Sequence, residues 1–543
     1  MASLNPLSGT LGMRLAGHLL RRTTCGPTKA LIISYASKTA SEALTDLTNI
    51  LPVNSKPIDF KSNATWVDNF RVDNINSEDF LLKSFAGGWW LNNARQDNTI
   101  LHKMMLFNHQ YWITTPEFIS SEMYYDYLKL LEFYAVGSYK TLATKMTLNN
   151  SMLYYLNGDE NSKNNPNQNY AREFLELFTI GKGPQIAAGN YTNYTETDIQ
   201  QAAKLLTGFK AHWNNNNFKD TDTNIRSGSP ASWDHDTSNK TFSAAFANTV
   251  IAGRSTNAGM LLELNDFVNM VFNQAETAKA ICRRLYKFFV FPEISAEVET
   301  DIITPLATEL KANNYVLLPT VKRLLMSQHF FDTDDTNSKD ENIGSMVKSP
   351  LDLLLGTMRF FNITPPNAVT NTEEHYNNFW TDTVQNFFLP SSGMPIFMPP
   401  NVAGYKPFYQ APDFDKLWFN SSTLVTRYKL PEMLLTNRRI ISWGNFYAQI
   451  NILTWIQIPA NCSNPADGNA VVKDLVNYLL PEEMLTTSAR FIYFKNILLG
   501  NLSLINWQNE WNNYISTGNS AAIKPQLEKL FKAVLFSQEY QCF

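Results

Sequence analysis

Apolar residues recur at three- and four-residue spacing along most of the chain, the pattern of helices that bury one face. Windows 11–22, 39–50, 79–95, 101–112, 121–136, 170–180 and 195–209 carry this period. So do 257–272, 276–289, 296–313, 316–327, 349–361, 372–388, 414–435, 471–479, 481–499 and 525–536. Start signals agree with these windows. Thr195 followed by Asp198 is a capping-box pattern, and Ser349-Pro350 sets an N-cap before proline at the first helical position. Pro481-Glu482-Glu483 puts carboxylates in an expected first turn. Strand patterns are confined to 248–251 and 440–442. The chain is therefore expected to be mainly α: a large multi-helix unit with long polar loops and very few short strands.

Polar stretches at 157–169, 214–232 and 332–342 interrupt the helices, and 390–414 is rich in proline and aromatics. No internal repeat is visible. The acidic stretch 332–342 is the best candidate boundary. It separates an N-terminal helical region, 1–331, from a C-terminal helical region, 343–543, expected to pack as one integrated unit. With 44% hydrophobic and 17% charged residues the chain is globular rather than disordered. Lys plus Arg number 45 against 49 Asp plus Glu, so no basic excess points to nucleic acid. No window reaches eighteen apolar residues, and no membrane span is expected. The 11–20 stretch holds Arg14 and His18, so no secretory leader is visible. The four cysteines, Cys25, Cys282, Cys462 and Cys542, are scattered and form no Cys-x-x-Cys pair, which disfavours both a thiolate metal site and a disulfide framework.

The segment richest in chemistry is Asn164-Asn165-Pro166-Asn167-Gln168-Asn169-Tyr170-Ala171-Arg172-Glu173-Phe174-Leu175-Glu176-Leu177-Phe178-Thr179-Ile180-Gly181. Glu173 and Glu176 are three apart and share a helical face. Two carboxylates there are a metal or acid/base pair, or they are acceptors that fix the helix through ion pairs with residues such as Arg172. His109, His235 and Asp236 supply the other ionisable groups, and Lys240 follows the only His-Asp pair. Carboxylates and imidazoles are the ligand set of Zn²⁺, Mn²⁺ or Fe²⁺. A divalent metal on His109, Glu173, Glu176 and His235 is thus one expectation, with Glu173, Glu176, His235 and Asp236 as the catalytic set. The spacing matches no Glu-x-x-His or His-Glu-x-x-His signature, however. His18 and His109 also read as satisfied core histidines. Asp220-Thr221-Asp222-Thr223-Asn224 lacks the glycine and the terminal acid of a calcium loop. No Gly-x-Ser-x-Gly, phosphate-binding loop or Gly-x-Gly-x-x-Gly occurs. Two arrangements are expected. Arg22 pairs with an acid of the signature helix or with Asp198. The loop 214–239 brings His235 and Asp236 over Glu173 and Glu176.

Several blocks also resemble the bacterial DUF1800 family, in order along the chain. They are His18-Leu19-Leu20-Arg21-Arg22-Thr23-Thr24-Cys25-Gly26-Pro27-Thr28, Lys103-Met104-Met105-Leu106-Phe107-Asn108-His109 and the signature segment. Tyr194-Thr195-Glu196-Thr197-Asp198, Leu206-Thr207-Gly208-Phe209, His235-Asp236 with Lys240 and Phe242, and Pro399-Pro400-Asn401-Val402-Ala403-Gly404-Tyr405 follow. The resemblance crosses the 332–342 boundary, which argues for one unit. The family pattern has a second histidine where this chain has Tyr111 and a glycine where it has Ser238; the first departure weakens the metal reading. The family carries no assigned reaction. The resemblance implies a partner of the DUF1501 family, whose members resemble alkaline-phosphatase-like enzymes and carry export signals. Two readings of function stay open. One is a metal-assisted or acid/base enzyme acting on an exported substrate. The other is a non-catalytic helical protein assembled or co-exported with a DUF1501-like partner. Location is open in the same way: export to the periplasm or cell surface with such a partner, or the cytoplasm.

Overall fold

Helix starts along this chain are set by side chains that hold the free amides of a first turn. The computed structural model describes residues 2–68, 77–212, 218–336, 341–436, 449–500 and 502–543. Thr28 accepts from the Leu31 amide, Ser120 from Met123, Asn149 from Met152 and Ser349 from Asp352. Thr195 donates its amide and its hydroxyl to Asp198, as the capping-box pattern anticipates. The N-terminal helices are α1 (Gly12–Thr23), α2 (Lys29–Ala36), α3 (Ala40–Leu47), α4 (Ser77–Gln96), α5 (Leu101–His109), α6 (Ser121–Phe133), α7 (Tyr139–Thr147) and α8 (Asn150–Tyr155). Then come α9 (Asn169–Glu173), α10 (Glu196–Leu205), α11 (Asn257–Asn273), α12 (Ala275–Phe289), α13 (Ala296–Val298), α14 (Thr304–Ala312) and α15 (Leu317–Met326). The remainder are α16 (Pro350–Phe360), α17 (Leu389–Ser391), α18 (Ser421–Thr436), α19 (Ile452–Gln457), α20 (Gly468–Leu479), α21 (Ala489–Leu499), α22 (Leu504–Thr517) and α23 (Lys524–Leu535). The fold is mainly α, as the periodicity predicts.

The strands are pairs of two or three residues that pin polar loops: β1 (Gln185–Ala187) with β2 (Asn190–Tyr191), β3 (Phe209–Lys210) with β4 (Ser229–Pro230), and β5 (Lys240–Thr241) with β6 (Val250–Ile251). β6 falls inside the predicted 248–251 strand, while its partner β5 does not; the predicted strand at 440–442 lies outside the described residues. One helix start is displaced. The expected 481–499 helix begins only at Ala489, capped by Ser488; ahead of it Glu482 pairs with Arg14 at 2.7 Å. No helix among the described residues is long and apolar enough to cross a membrane.

Three segments widen from α to π geometry: Phe174–Phe178, Glu299–Ile303 and Glu374–Phe388. In each, a threonine hydroxyl reaches back five residues to a carbonyl of the widened turn: Thr179 to Phe174, Thr304 to Glu299, and Thr381 to Tyr376. The long π segment lies against α4, where Gly87 and Gly88 admit it. A Cβ placed on Gly88 would sit 2.8 Å from the Trp380 Cβ. Gln385 then donates to the Ser84 carbonyl at 2.8 Å.

One contiguous apolar core contains buried residues from Leu11 to Tyr540, on both sides of 332–342. Polar ties cross the same line. Arg21 donates to the Tyr478 and Leu480 carbonyls, Lys29 meets Asp474 at 2.9 Å, and Lys103 pairs with Asp352. Arg359 holds the carbonyls of Gly26, Arg95 and Asp97 together with the Asn98 side chain. Gly26, at φ +98°, stands against Gly356, where a Cβ would meet the Gly356 Cα at 2.5 Å.

The α4 contact generates a test. Gly88→Val forces the valine methyls into Trp380, and overpacking of this kind costs about 1–3 kcal/mol. Urea unfolding of the variant should show that loss; an unchanged midpoint would mean the long π segment does not seat on Gly88.

Candidate functional site

The asparagines ahead of the signature helix serve the backbone. Buried Asn161 donates to the Ala203 carbonyl at 3.0 Å and accepts from the Asn167 amide at 2.8 Å, so the loop is stitched to α10. Tyr170, Ala171, Phe174, Leu175 and Phe178 then face the core. Arg172, Glu173 and Glu176 lie on the less buried side, where α9 passes into the π turn. π turns of this kind recur at functional sites. Arg172 grips Glu196 through two hydrogen bonds of 2.8 and 3.1 Å. Glu176 pairs with Lys182 and accepts from the Tyr194 hydroxyl at 3.0 Å.

Glu173 is different. Among the described residues no hydrogen bond or ion pair reaches its carboxyl. Partial burial, reinforced by the charge of Glu176, pushes it up to about 7, and Arg172 and Lys182 counter only part of this. An apolar setting predicts that both carboxylates are buried or on a cleft floor, within reach of Arg or His from other motifs; both are half-buried. Glu176 is held by nearby Lys182 and Tyr194 rather than by arginines or histidines of distant motifs, and neither of the two bonds Glu173.

His235 sits at the other end of α10. One ring nitrogen faces the Thr207 carbonyl at 2.8 Å, and the other meets Glu263 at 3.2 Å. Lys240 reaches the second Glu263 oxygen at 2.9 Å, and the Arg254 amide donates to the first. His235, Lys240 and Glu263 are all buried. Burial raises the Glu263 carboxyl, but the bonds from His235 and Lys240 outweigh it and hold the group below the usual carboxylate range. Asp236 closes its own turn by accepting from the Ser238 amide and hydroxyl. This is how the chain uses a serine where the family pattern has glycine.

The two clusters are therefore separate in bonding. Glu196, the first residue of α10, holds Arg172; Thr207, just past its last residue, holds His235. Ten helical residues span roughly 15 Å. No polar contact among the described residues joins Glu173 or Glu176 to His235 or Asp236. Among those residues, too, no group of three or more His, Cys, Asp or Glu lies together so as to hold a metal ion.

His109 is fully buried against the Phe397 ring, 4.8 Å away, and hydrogen-bonds Tyr127 at 2.6 Å. Tyr127 in turn donates to the Trp112 carbonyl. Burial lowers the imidazole to about 3, so it is neutral. His18 meets the Phe330 carbonyl at 3.0 Å in the same core role. Arg22 departs from expectation. It touches neither the signature helix nor Asp198, but donates to the Asn342 carbonyl at 2.9 Å and to Met346, with Phe543 under its plane. The reason is position: it ends α1, whose last turns face the 342–348 segment, and Asp198 is already saturated by Thr195 and Ser243.

Glu263 is the residue sequence reasoning misses. Its signal is a carboxylate inside the apolar run Met260-Leu261-Leu262-Glu263-Leu264. Glu263→Ala leaves Lys240 buried with no carboxylate at ion-pair distance except Asp236 at 3.8 Å. Breaking one side of a buried pair costs about 3–5 kcal/mol. Chemical denaturation should read that loss, and a change below about 1 kcal/mol would show the cluster to be energetically idle.

No curated protein and no solved structure matches this chain. A family match does exist, to Protein of unknown function (DUF1800), and it runs over residues 18–541, nearly the whole sequence. With that span, and with the signature helix, the His235 loop and Arg22 all inside it, the chain belongs to the DUF1800 family.

Proposed function

We propose that the signature helix is a proton-transfer site, with Glu173 as the group that takes and returns the proton. One observation carries this reading. Two carboxylates one helical turn apart sit in opposite surroundings: Glu176 is held by Lys182 and Tyr194, while Glu173 has no donor and titrates near neutrality. Pairs whose environments are driven apart are the usual arrangement for acid/base work. Arg172 and Glu196 brace the turn from the side. In this reading His235, Asp236 and Lys240 are positioning residues that hold the adjoining loop on α11. The reaction is acid/base chemistry in which Glu173 takes and returns the proton.

A second reading, the non-catalytic partner protein, is favoured by Trp233. Its indole is 70% exposed on the loop that carries His235, as a surface covered by another chain would be. A DUF1501-type protein is the partner that reading names. Trp233→Ala lowers co-purification of a second chain under that reading and leaves it unchanged under the first.

The test of the proton-transfer site follows from linkage. The folded-state value of Glu173 lies above its unfolded value, so the folded chain binds the extra proton and stability falls as pH rises from about 4.5 through 7. Glu173→Gln removes that slope and leaves the variant more stable than wild type at pH 8, on the order of 1 kcal/mol after allowance for solvent screening. Carboxyl ¹³C titration should place Glu173 near 7, and Glu176→Gln should lower that midpoint without restoring the ordinary value. A midpoint below 5 sinks the assignment. Metabolite profiling of extracts then asks for a compound consumed by wild type and spared by Glu173→Gln.

A further inference from the structure

A second polar site lies away from the signature helix, where the ends of α1, α5 and α12 meet the segments 346–352 and 407–418. It is a narrow cleft of about 30 Å³, room for one small group, since a single water needs roughly 10–15 Å³. Its walls include Phe288, Phe408 and Trp418, and its cations are Arg22, Lys103 and Lys287.

Its side-chain charges do not balance. Lys103 is matched by Asp352, which Ser349 also holds at 2.7 Å. Arg22 is only 2% exposed and, among the described residues, no carboxylate lies at ion-pair distance; its Nε, shielded from solvent, has no hydrogen-bond partner among them. Half-buried Lys287 rests its ammonium over the Phe414 ring at 4.8 Å, with no acid at ion-pair distance among the described residues. Against these two stands one side-chain carboxylate, Asp415, already accepting from the Val347 amide at 2.7 Å. Among its side chains the lining therefore gathers three cations, Arg22, Lys103 and Lys287, around two carboxylates, Asp352 and Asp415, with a buried donor, Arg22 Nε, lacking an acceptor. A cation out of water is costly unless a counter-ion meets it.

We propose that this cleft binds a small oxyanion, a phosphate or a carboxylate group, held between Arg22 and Lys287 with the aromatic rings as walls. Planar guanidinium donors suit an oxyanion, and the ammonium adds a point charge. Two of the blocks that carry the family resemblance, those containing Arg22 and Lys103, converge here rather than on the signature helix.

Calorimetric titration of the full chain with inorganic phosphate, with acetate and with sodium chloride at matched ionic strength tests the proposal. The expected result is saturable binding of phosphate or acetate that chloride does not reproduce. Phosphate alone identifies a phosphoryl group as the ligand; acetate alone identifies a carboxylate. Lys287→Gln should weaken binding at least tenfold, and Arg22→Gln should do the same if it folds. Asp415→Asn, which keeps the acceptor for Val347 and removes the competing charge, should tighten it. The surface control Lys524→Gln should change nothing. Equal heats from chloride, no saturation with either oxyanion, or the same affinity in wild type and Lys287→Gln overturns the site.

Discussion

Charge taken out of water is the constraint on which this fold is built. Arg21, Arg22, Lys103, Lys348, Arg359 and Arg427 are all buried, and Arg21, Arg22, Lys103 and Arg359 bond across the line between the N-terminal and C-terminal helices. Each such ion loses several kcal/mol of hydration that only directed hydrogen bonds restore. The chain restores them largely with main-chain carbonyls. Arg21 takes those of 478 and 480, Arg359 those of 26, 95 and 97, Lys348 that of 540, and Arg427 that of 348. A cation satisfied in this way dictates where a loop must run, because the carbonyls have to converge on one point. Lys348 shows how tight the balance is: burial pushes its ammonium down to about 7.

The same rule separates the two carboxylate environments of the N-terminal region. Glu263 is deeper than Glu173 yet stays ionised, since His235, Lys240 and an amide all point at it. Glu173 is shallower, but nothing donates to it, and its proton affinity rises. Depth alone does not decide the protonation state; the count of donors does. This is why the histidine loop reads as a clamp and the signature turn as a reactive surface.

Element existence was legible from apolar spacing because most helices bury one stripe. α2 was missed because its run Ala30-Leu31-Ile32-Ile33 is apolar on every side and carries no period. α8 and α19, at six residues each, are too short for a period to show, and α7 and α22 also lie outside the predicted windows. The π turns were invisible because a pattern read at 3.6 residues absorbs one extra residue as noise, so 170–180 and 372–388 were found as helices but not as widened ones. At the site, the residue types were legible and their pairing was not. Glu173 and Glu176 do share a face, but the partner of His235 stands 28 residues on, and the bonds of Arg22 lie more than 300 residues on. Spacing carries information only over a few turns; beyond that, topology chooses the partner.

The Arg21 contact also sets a timetable. Its guanidinium waits for a carbonyl 459 residues later in the chain. At about 5–20 residues per second, a ribosome takes on the order of half a minute to a minute and a half to deliver that acceptor. Throughout that interval α1 has an apolar face without its far partner and a cation that must stay hydrated, so it cannot settle into its final place. α1 can pack on α2 as soon as both have emerged, but its final seat waits for the carbonyls of 478 and 480.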